Sequence, residues 1–193
     1  MSLSRLRSEM GIIMTIVELE IRRLRHDYTD IAVRAIQPIV WLLVFGTIMS
    51  QRNVIPTPGG VSYLTFVAPG VLAQAVMFVA IFFGIMLVWD RDSGNLAKLL
   101  VAPASRISLV LGKCFSASVR AIAQAIVVIT IILILSLGIV DISLYNNPIY
   151  ILLTIPVVVL ISAVAASISI LFATIFRTRE RVMGFGQLLT LPL

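Results

Sequence analysis

The chain has 193 residues, of which 60% are hydrophobic and 12% are charged, with a formal net charge of +6. Soluble domains carry about 25% charged residues, so this composition excludes an ordinary soluble globular domain. The single cysteine excludes an intrachain disulfide, and the single histidine, His26, makes a metal centre or a Ser/His/Asp triad implausible. Basic residues flank several apolar runs instead of forming one stripe, which favours membrane topology over nucleic-acid binding.

The first predicted element is an amphipathic helix over residues 9–28. Its apolar part is too short to span a bilayer, and no small-residue cleavage pattern follows it. Apolar side chains lie on one face of this helix and polar side chains on the opposite face, which is typical of a helix lying in the membrane interface. The apolar face consists of Met10, Ile13, Met14, Val17, Ile21, Leu24 and Tyr28. Ile12, Ile16 and Leu19 lie outside this face and allow a second apolar contact with protein.

Long runs without charge follow. Asp, Glu, Lys and Arg are absent from 35–50, 53–89, 121–140 and 142–176. A membrane helix needs about 20 apolar residues, and these runs lack the alternation of barrel strands. We therefore predict an all-α polytopic membrane protein with four full transmembrane helices, over 31–50, 66–89, 115–140 and 149–176.

Lysine and arginine set the predicted orientation. They are concentrated before the first span, between the second and third spans, and after the fourth span. The positive-inside rule places these segments, including the N-terminus, on the cytoplasmic side of the cell membrane. The final apolar segment, 182–193, is either re-entrant or the start of a fifth helix within a longer protein, and we favour the second interpretation.

Four polar side chains fall within the predicted spans: Arg34, Gln37, Gln74 and Gln124. A polar group in hydrocarbon normally faces protein or water. Arg34 is near enough to the cytoplasmic edge to extend to headgroups. The four residues are candidates for helix packing or for a translocation path, and packing is the commoner role.

Small residues recur at helical spacing in the third and fourth spans. They are Ala117, Ala121 and Ala125 in one span and Ser162, Ala165, Ala166 and Ser169 in the other. Small residues four apart allow helix backbones to approach closely in lipid. This pattern predicts helix contacts, within one subunit or between two.

The loop at 90–106 carries a short amphipathic element. Leu96, Leu99 and Leu100 have the i, i+3, i+4 spacing of one helical face, and Pro103 ends the element after about two turns. A helix this short is unstable alone, so it needs a tertiary contact. Packing on its own bundle, lying on headgroups and docking on another protein all satisfy that need.

Three segments carry a family resemblance: RAIQPIVWLLVFGTIMS, YLTFVAPGVLAQAVMF and WDRDSGNLAKLLVAPASRISLVLGK. Together they resemble the membrane subunit of ABC-2 type transporters, and the drug and antibiotic efflux permeases most closely. The resemblance runs from Val17 to the last residue. Its most specific portion, Trp89 to Lys113, combines an Arg-x-x-Gly turn, a Leu-Leu pair, Pro-x-Ser-Arg and Gly-Lys.

The resemblance implies a six-helix permease that forms a homodimer or heterodimer and binds two ATP-binding subunits. The loop after the second helix would carry the coupling helix that contacts the ATPase, which favours the docking interpretation. The residues that this implies for ATPase coupling are Asp90, Arg91, Gly94, Leu96, Leu99, Leu100, Pro103 and Arg106.

The chain lacks the phosphate-binding loop of an ATPase, because Gly112-Lys113 is followed by Cys114 and Ile107 stands where the first glycine is required. We therefore expect a transport subunit without catalytic residues or a bound cofactor, with ATP and Mg on the partner subunit. The alternatives are a membrane scaffold that transports nothing and a polysaccharide-export permease. A membrane enzyme is a weaker alternative, because no catalytic cluster lies in the spans.

Overall fold

The computed structural model describes residues 3–26, 28–46, 48–49, 57, 61–94, 105–138, 148–176, 178, 180–182, 184 and 186. All regular structure in these residues is helical. The helices are α1 (Leu3–His26), α2 (Tyr28–Val40), α3 (Tyr63–Asp92), α4 (Arg106–Gly138) and α5 (Pro148–Ile175), and a π-helical turn (Trp41–Gly46) follows α2.

Within the described residues, three segments are long and apolar enough to cross a membrane: Tyr63–Asp92, Arg106–Leu135 and Ile149–Ile175. A helix of 30 residues is about 45 Å long, whereas the hydrocarbon core is about 30 Å thick. α3 and α4 are therefore longer than the spans predicted at 66–89 and 115–140. Hydropathy identifies only the part of a helix that lies in hydrocarbon, whereas the helix itself continues beyond that part.

The predicted first span, 31–50, is less regular. Its described part contains a shorter apolar helix, Ile31–Val44, and changes to the wider π-helical form after Val40. Pro38 lies just before this change, and a proline ring removes a backbone donor and crowds the preceding turn. Leu42 in the turn is buried, and Gly46 lies against Leu64 of α3, where an added Cβ would come within 2.7 Å of the leucine Cδ1.

Polar caps set the limits of α3. Ser62 lies immediately before the helix, and its hydroxyl accepts a hydrogen bond from the Thr65 backbone N–H at 3.2 Å. At the other end Ser93 caps the helix, and Gly94 follows with a φ of +72°, a conformation that costs glycine little. α3 therefore ends at Asp92, before the predicted leucine-rich element begins.

α3 and α5 approach each other closely around Gly84. A Cβ placed on Gly84 would lie 1.9 Å from the Ser169 hydroxyl oxygen and 2.7 Å from the Ser169 backbone carbon. The Ser169 hydroxyl donates a hydrogen bond to the backbone carbonyl of Ile81. The buried residues of this region include several small ones: Ala80, Ala165, Ala166 and Ala173. Small side chains allow this approach, which gains dispersion contacts that lipid alone would not provide.

The small residues of α4 are also buried. Ala117, Ala121 and Ala125 belong to the clusters that join α4 to its neighbours, and the Ser162 hydroxyl of α5 donates to the Ser118 hydroxyl at 3.0 Å. The predicted helix contacts are confirmed, and they lie within one chain.

Residues after α5 extend the core. Residues 180–182, 184 and 186 are helical, Val182 is buried with Ile85 and Val88, and Gly186 lies against Ile81. The segment therefore packs on α3. Most of the predicted fifth helix, 182–193, lies outside the described residues.

Replacing Gly84 with alanine should separate α3 from α5. Because the added methyl group meets Ser169 side chain and backbone, we expect a loss of about 1–3 kcal/mol in the free energy of unfolding. Gly70→Ala in the same helix is the matched control, since its Cβ would meet nothing within 4 Å and alanine favours a helix by up to about 1 kcal/mol. Equal unfolding midpoints for the two variants in dodecyl sulfate titrations would contradict the close approach.

Candidate functional site

The residues predicted to contact an ATPase lie around the connection between α3 and α4. Leu96, Leu99, Leu100 and Pro103 lie outside the described residues. Asp90 and Arg91 belong to the last turn of α3, Gly94 follows it, and Arg106 is the first residue of α4. We call the two segments 90–94 and 105–113 the loop end, since they bound the predicted coupling element on both sides.

Asp90 ties the two sides of the loop end together. Its carboxylate accepts a hydrogen bond from the Lys113 ammonium at 2.7 Å, and the two side chains are only 15% and 19% exposed. Lys113 lies in the second turn of α4, so the contact joins the end of α3 to the start of α4. Arg91 and Asp92 are more exposed, with 3.9 Å between their charged atoms. Asp90 therefore has a clear structural contact, whereas Arg91 lies nearer the surface.

Glu9 of α1 holds the start of α4. The Ser105 hydroxyl accepts a hydrogen bond from the Ser108 backbone N–H at 3.1 Å and donates one to the Glu9 carboxylate at 2.7 Å. The Ser108 hydroxyl also donates to Glu9. Because the N-terminus of a helix carries partial positive charge, a carboxylate there is stabilising. The cap of α4 thus depends on a residue almost one hundred positions earlier.

α1 lies alongside the first half of α4, in the same direction. Ile16 contacts Gly112, where an added Cβ would come within 2.7 Å of the isoleucine Cδ1. One turn further, the Ser116 hydroxyl donates to the Ile16 carbonyl at 3.4 Å. Of the residues predicted to make a second apolar contact, Ile16 therefore packs on α4 of the same chain, whereas Leu19 is 58% exposed.

Glu20 and Arg120 form an ion pair between these two helices. The residues are 8% and 9% exposed, and the arginine Nε donates to a carboxylate oxygen. A charged residue on an amphipathic helix normally faces solvent, so sequence reasoning did not single out Glu20. The only sequence signal is that Glu20 shares the side of α1 that carries Ile16, one turn earlier.

The face of α1 predicted to contact lipid is open in part. Met10, Met14 and Ile21 are exposed, whereas other members of the face are partly buried: Ile13, Val17 and Leu24. Packing against α4 and exposure of this face are compatible because they use different sides of the helix.

Three of the four polar candidates meet in one cleft. Arg34, Gln37 and Gln74 line a narrow space between α2 and α3, next to Trp41 and Phe78. Its volume of about 10 Å³ is close to the minimum for a single water molecule. Three polar side chains line the cleft among mostly apolar ones, and the cleft is too small, in this conformation, for a substrate.

Gln124 is separate from that cleft. It is 1% exposed, and neither its amide nitrogen nor its oxygen has a hydrogen-bond partner among the described residues. An unsatisfied buried amide costs about 1–3 kcal/mol. Within the same described part, no three His, Cys, Asp or Glu side chains are grouped as metal ligands.

The contact between Asp90 and Lys113 should show measurable coupling. In a double-mutant cycle of Asp90→Ala and Lys113→Ala, we expect about 1–3 kcal/mol of coupling in the free energy of unfolding, because the pair is largely shielded from water. Glu18 and Arg22, an exposed pair with a 2.7 Å contact on α1, form the control cycle and should give at most about 0.5 kcal/mol. Equal coupling in both cycles would count against a structural role for Asp90.

The chain is similar to known transport proteins. The family model described as ABC-2 type transporter matches residues 12–193. A protein of Cyanophora paradoxa named "Putative transport permease ycf38" is 32% identical over 90 residues, which cover 46% of this chain and 31% of the relative. Proteins of the same name from Pyropia yezoensis and Porphyra purpurea are 29% and 30% identical over 96 and 95 residues, each covering 49% of this chain and 33% of the relative.

These alignments extend over only about a third of each curated relative. No solved structure matches the chain at a significant level. The family model, in contrast, covers almost the whole sequence and includes α1 from Ile12 onward, the loop end and the three long apolar helices. The chain therefore belongs to the ABC-2 type transporter family, and its described residues include three helices long and apolar enough to cross a membrane.

Proposed function

We propose that this chain is the permease subunit of an ATP-binding cassette exporter and receives the movement of a separate ATPase through the loop after α3. Family membership supports the assignment to transport. The observation that carries the coupling role is the loop end, where both sides of the predicted coupling element are held by partly buried polar contacts.

The construction of the loop end suits the transmission of force. A two-turn helix at 96–100 would have little stability alone. Asp90 and Lys113 link its α3 side to α4, and Glu9 links its α4 side to α1. A displacement of the loop would therefore move three helices together instead of being absorbed by local bending.

In this proposal the free energy comes from the partner. ATP and Mg bind the ATPase subunits, whose closure favours one arrangement of the permease over another. A second permease copy completes the substrate path, with the N-terminus and the loop end on the cytoplasmic side of the cell membrane. Residues 31–50 form the first of four spans in this chain.

The proposed substrate is a drug, a lipid or another amphipathic molecule. The apolar character of α3, α4 and α5 is compatible with such a substrate. A polysaccharide is the alternative, and a scaffold that transports nothing is a second alternative. Liposomes that contain the full-length protein with its cognate ATPase distinguish the three. An exporter of amphipathic molecules couples ATP hydrolysis to loss of a loaded amphipathic probe, and a polysaccharide exporter couples it to loss of a loaded glycan. A scaffold does neither.

The paired substitution Leu96→Asp and Leu99→Asp should release the ATPase from the permease. If these leucines dock on it, charged side chains remove the apolar contact while the membrane helices remain inserted, and we expect at least a tenfold loss of ATPase bound to the purified permease. The paired change of Leu96→Met and Leu99→Met is the matched control, because methionine keeps the volume and apolar character. The coupling assignment is wrong if the aspartate variant retains its ATPase and its stimulation of ATP hydrolysis.

A further inference from the structure

Gln124 of α4 places an unsatisfied amide inside the bundle. It is 1% exposed, and neither its Nε2 nor its Oε1 has a hydrogen-bond partner among the described residues. The glutamine amide has two donor hydrogens and an acceptor oxygen, and buried polar groups normally have at least one partner. The described arrangement of the helices is therefore less stable than an apolar side chain of the same shape would make it.

The surroundings of Gln124 are apolar and closely packed. Ala121 and Val128, which share its face of α4, are both 0% exposed. They belong to one apolar cluster with Leu42 of the π-helical turn and Val76 of α3. Because hydrocarbon groups enclose the amide, a hydrogen-bond partner reaches it only if α4 separates from α2 and α3.

A cavity of about 170 Å³ lies one helical turn from Gln124, between α2, α3 and α4. Arg120 lines it and precedes Gln124 by four residues, which is about 6 Å along a helix axis. The cavity volume is far above the roughly 10–15 Å³ that one water molecule requires. Its walls include the charged side chains of Arg34 and Arg120, and charged groups between membrane helices favour water over hydrocarbon.

The same cavity extends toward the loop end. Its lining includes Trp89, in the last turn of α3, which is 48% exposed. Gln124 is not among the lining residues of this cavity or of the narrow cleft. An extension of the cavity by one turn along α4 would bring water from the loop end to the buried amide.

We infer that Gln124 is a conformational switch residue between a dry arrangement, which is the described one, and a hydrated arrangement in which this cavity reaches its amide. The unmet hydrogen bonds raise the free energy of the dry arrangement, and water satisfies them in the hydrated one. The amide thereby shifts the population toward the hydrated arrangement. The inference rests on the proposed function in one respect, namely that a permease passes between two arrangements.

The test measures how fast a water-soluble maleimide modifies a cysteine at Ala121 in the full-length protein, reconstituted in liposomes without ATPase. The background has no other cysteine, and Cys114→Ser keeps a hydroxyl near Ser167, whose oxygen lies 3.5 Å from the Cys114 sulfur. Ala121 lies between Arg120 and Gln124 in the sequence and is fully buried, so Ala121→Cys reacts only when the cavity extends.

Gln124→Met in this reporter background should slow the modification. Methionine is close to glutamine in length and shape and has no amide, so the dry arrangement no longer carries the cost of the unmet hydrogen bonds. We expect the rate to fall about fivefold or more. Val128→Cys is the matched control reporter, because it lies on the same face one turn beyond Gln124 and is equally buried. It should react much more slowly than Ala121→Cys.

Thermal unfolding in detergent provides a second measurement that needs no reporter cysteine and remains decisive if Ala121→Cys does not fold. Gln124→Met should raise the melting temperature by about 2 °C or more. Ser162→Ala is the comparison, since it removes a buried hydroxyl that donates to Ser118 at 3.0 Å. This variant should lower the melting temperature.

Slower modification in Gln124→Met and a higher melting temperature would support the inference. Equal rates with glutamine and methionine at position 124, or modification of Ala121→Cys no faster than that of Val128→Cys, would overturn it. A fall in the melting temperature of Gln124→Met as large as that of Ser162→Ala would also overturn it, because the amide would then have a partner in the dry arrangement. Failure of ATP-driven transport in the liposome assay would count against the proposed function and would leave these measurements unchanged.

Discussion

The ion pair between Glu20 and Arg120 is the constraint on which much of the described structure depends. Both residues are almost fully buried. Removing one partner of such a pair typically costs about 3–5 kcal/mol, because the other charge remains away from water. The pair therefore fixes α1 on α4. It also fixes Arg120 beside Phe83, on the wall of the cavity between α2, α3 and α4.

A different kind of contact holds α3 to α5. Around Gly84 the helices approach because the glycine lies directly against Ser169, whose hydroxyl donates a hydrogen bond to the Ile81 carbonyl. Lipid tails are as apolar as the helices, so burial of apolar surface alone gives little net driving force, and close packing replaces it. The bundle thus uses ionic contacts at α1 and the loop end and close packing within the apolar helices.

Sequence reasoning was sufficient for features that depend on local composition. Charge-free runs identified the three long apolar helices, and the spacing of Ala117, Ala121 and Ala125 identified a buried helix face. The limits of α4 could not be obtained in this way. Hydropathy does not show how far a helix continues beyond the hydrocarbon. α4 begins at Arg106, because Ser105 provides its cap.

Long-range polar partners were beyond sequence reasoning for a second reason. The sequence around Glu9 and Glu20 has the pattern of an amphipathic helix whose charged residues face solvent. Their partners lie about one hundred residues later in the chain. In the sequence Lys113 stands out only through the Gly-Lys pair of an incomplete phosphate-binding loop, whereas in the structure its ammonium group pairs with the Asp90 carboxylate. The coupling roles of Leu96, Leu99, Leu100 and Pro103 stay predictions, since those residues lie outside the described ranges.

The distribution of tight and loose contacts bears on how the proposed transport cycle would proceed. α1 and the first half of α4 are joined by Glu9, Ile16 and Glu20, so they resist relative movement. Spaces lie beside α2, in the narrow cleft and in the cavity of about 170 Å³ between α2, α3 and α4, and also between α3 and α5, in a cavity of about 270 Å³. Packed interfaces change between discrete arrangements, whereas a space permits displacement at lower cost. A movement imposed at the loop end would therefore be carried by α1 and α4 as a unit and accommodated at these spaces, among them those beside α2, whose π-helical turn after Pro38 already departs from regular helical packing.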